Sequence, residues 1–432
     1  MQLHSTNNPN LRVSLREAVM AGMPEDRGLF MPVDIPRLPE RFFQNLASRS
    51  FQEISIEVAQ YLLQGAIPAR DLDAIVEGAI DFPAPLFRLD DSTYILELFH
   101  GPSLAFKDFG ARFMAKMMAY FNRDENKELL ILVATSGDTG GAVAAGFFKA
   151  PGIKVVILYP SGKVSPLQEK QLTTLGHNIT AIEVDGTFDD CQSLVKQTFL
   201  DREVTSRIRL SSANSINIAR LIPQSFYYFE GYKQAMPSRS PIVFSVPSGN
   251  FGNLTAGLLA KKMGLPIARF IAATNANDVV PAYLETGAYA PRASTRTLSN
   301  AMDVGTPSNF ARMLDLYCST WNMIREDVIG FSFSDEETEE AMRDIDKTYN
   351  YVIDPHGAVG YLALRKYQRT NPCTGIVLET AHPGKFVEDV TRILGHPIEI
   401  PSSLAELGDK EKRAVSIKAN YPLFKSWLLQ NV

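Results

Sequence analysis

Cysteine is scarce. Three residues, Cys191, Cys318 and Cys373, occur in a chain of 432. They lie far apart, form no CxxC pair and cannot all pair with one another, so a disulfide framework is excluded and the reduced thiols of a cytoplasmic protein are expected. The six histidines show no HExxH spacing and no other ligand cluster, so no metal site is expected. Positive charge is not in excess: 43 Lys and Arg stand against 48 Asp and Glu, a net charge of −5. A chain without a broad basic field is a poor partner for nucleic acid or an anionic membrane. No apolar run reaches membrane-spanning length, and the opening "MQLHSTNNPN" has no basic segment followed by an apolar one, the mark of a secretory signal. Fixed-period repeats and low-complexity segments are also missing. What remains is the composition of a soluble globular protein, 45% apolar and 21% charged, long enough for two or three domains.

The first hundred residues read as mostly helical, punctuated by prolines in "MPVDIPRLPE" and "DFPAPLF". From about residue 129 the texture changes. The runs "LLILVA" (129–134), "IKVVILYP" (153–160), "NITAIEV" (178–184), "PIVFSVP" (241–247), "ARFIAATN" (268–275) and "TGIVLE" (374–379) each read as a buried strand, with helical patterns between most of them. Strands alternating with helices predict parallel sheets with right-handed crossovers, an α/β architecture. In such sheets ligands bind beyond the carboxyl ends of the strands. We expect an N-terminal region over 1–95, a small α/β domain over 96–240 and a larger one over 241–432.

"HGPSLAFKDFGARF" (100–113) sets Lys107 between Phe106 and Asp108–Phe109. An amine among aromatic rings is one whose pKa desolvation can lower, which makes it nucleophilic at neutral pH. The plainer reading is core packing around an amine that reaches out to solvent. Two further loops share one design. After "LLILVA" comes "TSGDTGGAV", and after "IVFSVP" comes "SGNFGNLTAG". Each would carry glycines and hydroxyl or amide side chains into the start of a helix, where unpaired N–H groups and the helix dipole favour an anion. Such residues are also good turn and cap formers. Neither loop matches GxxxxGK[ST] or GxGxxG. A lysine that forms a Schiff base together with two anion cradles suits pyridoxal phosphate, which brings both an aldehyde and a phosphate.

Taken in order, "HGPSLAFKDFGARF", "ATSGDTGGAV", "YPSGKVSPLQEKQ", "SSANSINIARLIPQ", "SVPSGNFGNLTAG" and "ETAHPGKF" resemble the threonine synthase family, in its longer bacterial form, over most of the chain. The resemblance implies a pyridoxal-phosphate enzyme of fold type II, the tryptophan-synthase-β architecture. It implies conversion of O-phospho-L-homoserine and water to L-threonine and phosphate, the last step of threonine biosynthesis, by a monomer or homodimer. By the same resemblance, Lys107 is the Schiff-base lysine. Ser248, Gly249, Asn250, Phe251, Gly252 and Asn253 form the cofactor-phosphate loop, and Thr380 lies by the pyridine nitrogen. Thr135, Ser136, Asp138 and Thr139 take the substrate carboxylate, and Asn214, Ser215 and Arg220 form a substrate-binding segment.

Lys163 is a candidate for the substrate phosphate, and Arg112 a third cation for it, although a solvated surface role suits Arg112 better. Position 161 is Ser where several family members carry a basic residue, which removes a cation near Lys163. His356 and His382, each beside a proline, read as structural. Asp108 should cap or face away from the amine, and Phe106 and Phe109 could keep that amine dry. The rivals are a serine or threonine dehydratase or another phospholyase of the same fold, which would need no second phosphate site, and a catalytically silent cofactor-binding protein.

Overall fold

The computed structural model describes every residue except Ser136, Pro237 and Arg239. Fourteen strands are assigned among them. β1 (Gln2–Ser5), β2 (Arg12–Ser14) and β3 (Phe30–Pro32) form a small antiparallel sheet in the order β2-β1-β3. The others are β4 (Leu86–Arg88), β5 (Thr93–Glu97), β6 (Leu129–Ala134), β7 (Ile153–Pro160), β8 (Ile179–Asp185), β9 (Arg209–Ser211), β10 (Ile242–Pro247), β11 (Arg269–Thr274), β12 (Val328–Ser332), β13 (Thr374–Glu379) and β14 (Val415–Lys418). They build a six-stranded sheet, β12-β11-β10-β13-β5-β4, and a five-stranded sheet, β14-β8-β7-β6-β9. Every pairing in these two sheets is parallel except that of β4 with β5.

The six apolar runs of the sequence are β6, β7, β8, β10, β11 and β13. They are uninterrupted because both faces of a parallel strand are covered. Alternate residues then separate into different cores. Phe244 and Val246 of β10, Ile376 and Leu378 of β13 and Leu129, Ile131 and Val133 of β6 all enter one central core. Val243 and Val377 face a second core behind the larger sheet, and Leu130 and Leu132 a third behind the smaller one. The two sheets thus meet across a shared core. The N-terminal helices join it: Ser50 and Glu53 form a capping box for Phe51–Leu63, whose Ile54, Val58 and Leu62 are buried there.

The chain departs from the expected borders in three places. The first 95 residues are not helical alone, since β1 to β3 lie among them; β1 alternates exposed and buried positions, the period of a strand. β5 straddles residue 95 and pairs with β13 inside the larger sheet. The end of the chain leaves the larger domain: β14 pairs with β8, and Phe424 and Leu428 of the Tyr421–Asn431 helix pack with Leu132 and Ile182. No helix among the described residues is long and apolar enough to cross a membrane.

Candidate active site

The loops singled out in the sequence follow the carboxyl ends of β5, β6, β10 and β13. Lys107 is the first residue of the Lys107–Asn122 helix. The turn before it is stitched to the segment after β13: Phe106 N–H donates to the Thr380 carbonyl at 2.9 Å and His382 N–H to that of Leu104 at 3.0 Å. Adjacent parallel strands thereby bring Lys107 and Thr380 together although 273 positions separate them. The Lys107 side chain is 16% exposed, and its Nζ lies 3.4 Å from Asp138 Oδ2. Burial lowers the pKa of the amine; Asp138 opposes the shift, and Lys385 and Arg220 add to it. The Phe106 ring lies 6.0 Å from Nζ. Phe109 does not shield the amine, because its ring packs on Phe51, Phe82 and Tyr227 in the core. Asp108 turns away from the amine as expected and accepts the Ser103 N–H at 2.8 Å, and burial raises its pKa to about 6.

The loop after β6 is held from inside. Thr135 Oγ1 accepts the N–H groups of Gly137 and Gly140 at 3.0 and 2.9 Å. Gly137, at φ 142°, caps the Asp138–Phe147 helix, a conformation that favours glycine. Thr139 is half-buried in the first turn. Ser136 lies outside the described residues. The Asp138 side chain is not open to an incoming carboxylate. It pairs with Lys385 Nζ at 2.8 Å and with Lys107, and accepts from Gln168 Nε2 at 2.9 Å. These cations hold it ionised, with its pKa well below the usual carboxylate range despite burial.

The loop after β10 is the better anion cradle. Ser248 is turned inward, its N–H on the Ala273 carbonyl and its Oγ on that of Val246, both at 2.8 Å. Beyond it, the N–H groups of Gly249, Asn250, Phe251, Gly252, Asn253 and Leu254 make no hydrogen bond among the described residues. They converge where Phe251, left-handed at φ 60°, starts the Gly252–Lys262 helix. Asn253 Nδ2 is buried without a partner, while its Oδ1 accepts from Tyr227 and Tyr228 at 2.6 and 2.7 Å. A run of free N–H groups ending in an orphaned amide donor fits a phosphate, and with a buried lysine it fits pyridoxal phosphate. Gly249 sits so close to the next loop that a Cβ would lie 2.8 Å from both Ala301 O and Met302 Cα. Gly249→Ala should therefore distort the cradle and raise the Kd for pyridoxal phosphate about tenfold or more, as measured by absorbance titration.

Arg220 is buried on the Ile218–Leu221 helix. Its Nη1 donates to Ala213 O at 2.8 Å and its Nε has no partner. No carboxylate pairs with it among the described residues, and burial moves its pKa down to about 10, so it stays charged. Asn214 and Ser215 are half-buried in the preceding turn. Lys163 is exposed after β7 and forms no ion pair among the described residues; Ser161 beside it donates to Glu183 at 2.7 Å. Arg112 is not gathered into the site. Its guanidinium caps the Ala69–Ala79 helix by donating to the carbonyls of Gly78 and Ala79, each at 3.0 Å, and pairs with Asp81. Orphan carbonyls at a helix end attract such a cation.

Both histidines have structural partners. His382 Nδ1 accepts the Gly384 N–H, and burial lowers its pKa to about 4, so the ring is neutral. His356 Nδ1 meets Asp354 at 2.5 Å, and its Nε2 accepts the N–H of Ala301, the residue that abuts Gly249. The sequence reading missed Lys385 and Gln168. For Lys385 a signal existed, since "HPGKF" sets it next to an aromatic residue, as "AFKDF" sets Lys107 next to Phe106.

Three family models match the chain: pyridoxal-phosphate dependent enzyme over residues 81–377, threonine synthase N terminus over 2–80, and threonine synthase, C-terminal, over 357–427. Threonine synthase of Escherichia coli K12 is 45% identical over 434 residues, all of both chains. The crystal structure of an Escherichia coli threonine synthase superposes with a TM-score of 0.91 at 44% identity, covering all of both chains. A threonine synthase of Brucella melitensis with pyridoxal phosphate bound gives 0.94 at 33% identity, covering 100% of this chain and 99% of that one. With these matches spanning both sheets and every loop of the site, the chain belongs to the threonine synthase family of fold type II pyridoxal-phosphate enzymes.

Proposed function

We propose that this chain converts O-phospho-L-homoserine and water to L-threonine and inorganic phosphate. Arg220 is the observation that carries the reading: a buried, charged guanidinium with an unpartnered Nε and no ion-paired carboxylate among the described residues, close enough to depress the Lys107 amine. A phosphate grips a guanidinium through two oxygens at once, and a dehydratase would need no such cation.

Bound pyridoxal phosphate supplies the electron sink for the carbanion formed at Cα. The loop from Ser248 to Asn253 would hold its phosphate, and Lys107 would bond it covalently. Once freed by the substrate, the Lys107 amine is the base that moves protons at Cα and Cβ, which demands hydrogen-bond reach. Arg220, assisted by Lys163, holds the substrate phosphate and stabilises charge as it leaves Cγ. The backbone of Gly137 to Thr139 would receive the substrate carboxylate, with Asn214 and Ser215 also binding the substrate. Thr380 offers a neutral hydroxyl, one that makes no hydrogen bond among the described residues, to the pyridine nitrogen.

The test is an assay with O-phospho-L-homoserine that follows phosphate and identifies the amino acid. Equal amounts of phosphate and threonine are expected; phosphate with a keto acid would overturn the reading. Arg220→Lys should lower kcat/KM about 10²-fold, the loss of one charge-assisted contact pair in a buried site. Thr380→Asp should shift the visible spectrum by protonating the ring, whereas an unaltered spectrum and rate would place the hydroxyl elsewhere.

A further inference from the structure

We propose that Lys385 is a positioning residue for Lys107: it is the permanent counter-ion of Asp138 and, by occupying that carboxylate, leaves the Lys107 amine free to be neutral. The inference rests on Lys107 being the lysine that bonds the cofactor.

One carboxylate stands between two amines, and the geometry is unequal. Lys385, in the short helix Pro383–Phe386 after β13, has no exposed side-chain surface. Its Nζ reaches Asp138 Oδ1 and the Ser103 carbonyl, both at 2.8 Å. Both are contacts in which an ammonium donates, one of them to a carboxylate. Lys107 reaches only the other oxygen, at 3.4 Å, and keeps some exposure. Gln168 fixes Oδ1 from a third side at 2.9 Å. The remaining charged or titratable groups facing this cluster are Arg220, His356 at the start of the Pro355–Gln368 helix, His382 just before the short helix that carries Lys385, and Asp108 on the helix that Lys107 opens. Arg220 adds positive charge near the amine, and the Asp108 carboxyl turns to the Ser103 N–H. Asp138 is therefore the one carboxylate within pairing distance of Lys107 among the described residues. A buried carboxylate without Lys385 would have to draw a proton onto Lys107, and an ammonium cannot attack an aldehyde. Neutralising Asp138 through a second lysine lets the site hold both an ionised carboxylate and an unprotonated amine.

The experiment titrates capture of added pyridoxal phosphate by the full chain, freed of cofactor, against pH. Capture joins the neutral amine to the aldehyde carbon with loss of water and gives a visible absorption band. Lys385→Met should move the half-capture point up by about one pH unit, a tenfold loss at a fixed pH below it. Asp138→Asn should move it down, and the double variant should return towards the parent. A merely structural role for Lys385 predicts weaker capture in all three with no shift along the pH axis, and that pattern would overturn the proposal. If Lys385→Met does not fold, Lys385→Gln takes its place: an upward shift supports the proposal, and an unmoved midpoint defeats it. Lys107→Ala is the control for the underlying reading. A band that survives in it removes Lys107 from the cofactor, whereas a band lost there but unmoved in the Lys385 and Asp138 variants sinks only the present inference.

Discussion

Lys107→Ala is expected to lower turnover by about 10⁴-fold, the upper range for removing a positioned base, and to abolish the yellow colour of lysine-bound pyridoxal phosphate. On the proposed reading two roles disappear together, the covalent bond to the cofactor and the base that moves protons at Cα and Cβ. The phosphate cradle is built by the loop after β10 and should survive, so the variant should still bind pyridoxal phosphate, reversibly and with weaker affinity. Circular dichroism should be unchanged, because the side chain caps no helix and its one hydrogen bond among the described residues is the long contact to Asp138. The parent enzyme supplies the matching pH test. A buried amine with a lowered pKa loses its free base only when pH falls through that lowered value, so the acid limb of kcat/KM should lie below the ordinary lysine range. A limb at the ordinary value would mean that the amine is solvated in the working enzyme.

Arg312→Met should be the most damaging change away from the chemistry. The guanidinium is fully buried on the Phe310–Leu316 helix and has no carboxylate partner among the described residues. It donates instead to the Phe30 carbonyl at 3.0 and 3.2 Å, the Ile216 carbonyl at 2.6 Å and Asn309 Oδ1 at 2.8 Å. Burial pulls its pKa down to about 9, so it remains charged at neutral pH. Removal leaves several buried acceptors unpaired, at roughly 1–3 kcal/mol each, and a total near 4 kcal/mol is a large share of a typical folding free energy. The thermal midpoint should fall by several degrees. Because Asn309 N–H donates to Asn250 O at 3.2 Å and Ile216 lies beside Asn214 and Ser215, affinity for pyridoxal phosphate and for substrate should weaken as well. Arg312→Lys should recover only part of the loss, since an ammonium cannot span three acceptors in a plane. A midpoint that does not move would show that water replaces the guanidinium.

Six of the eleven strands in the two larger sheets were legible because parallel strands covered on both faces leave continuous apolar runs. β4, β5, β9, β12 and β14 were not. They lie at or next to sheet edges, three to five residues long and partly exposed, so neither a long apolar run nor an alternation marks them. The anion cradle after β10 was legible for a local reason: glycines and a helix start within six residues make it without help from the rest of the chain. The partners of Asp138 were not legible, because a carboxylate one position into a helix after a glycine reads as an anion-site residue until the distant Lys385 is found against it. Arg112 failed the opposite way. It lies near Lys107 in the sequence, but its side chain points to the end of another helix.

The sequence by itself determined the α/β class and the family, since the first rests on local pattern and the second on motifs in order. Only the tertiary structure decided which charges meet. Electrostatic pairing depends on distances of a few ångströms between groups hundreds of residues apart, and on whether water is excluded between them. Lys385 against Asp138, Arg220 without an ion pair among the described residues and Arg112 bound to a helix end follow from how the two sheets close on one core.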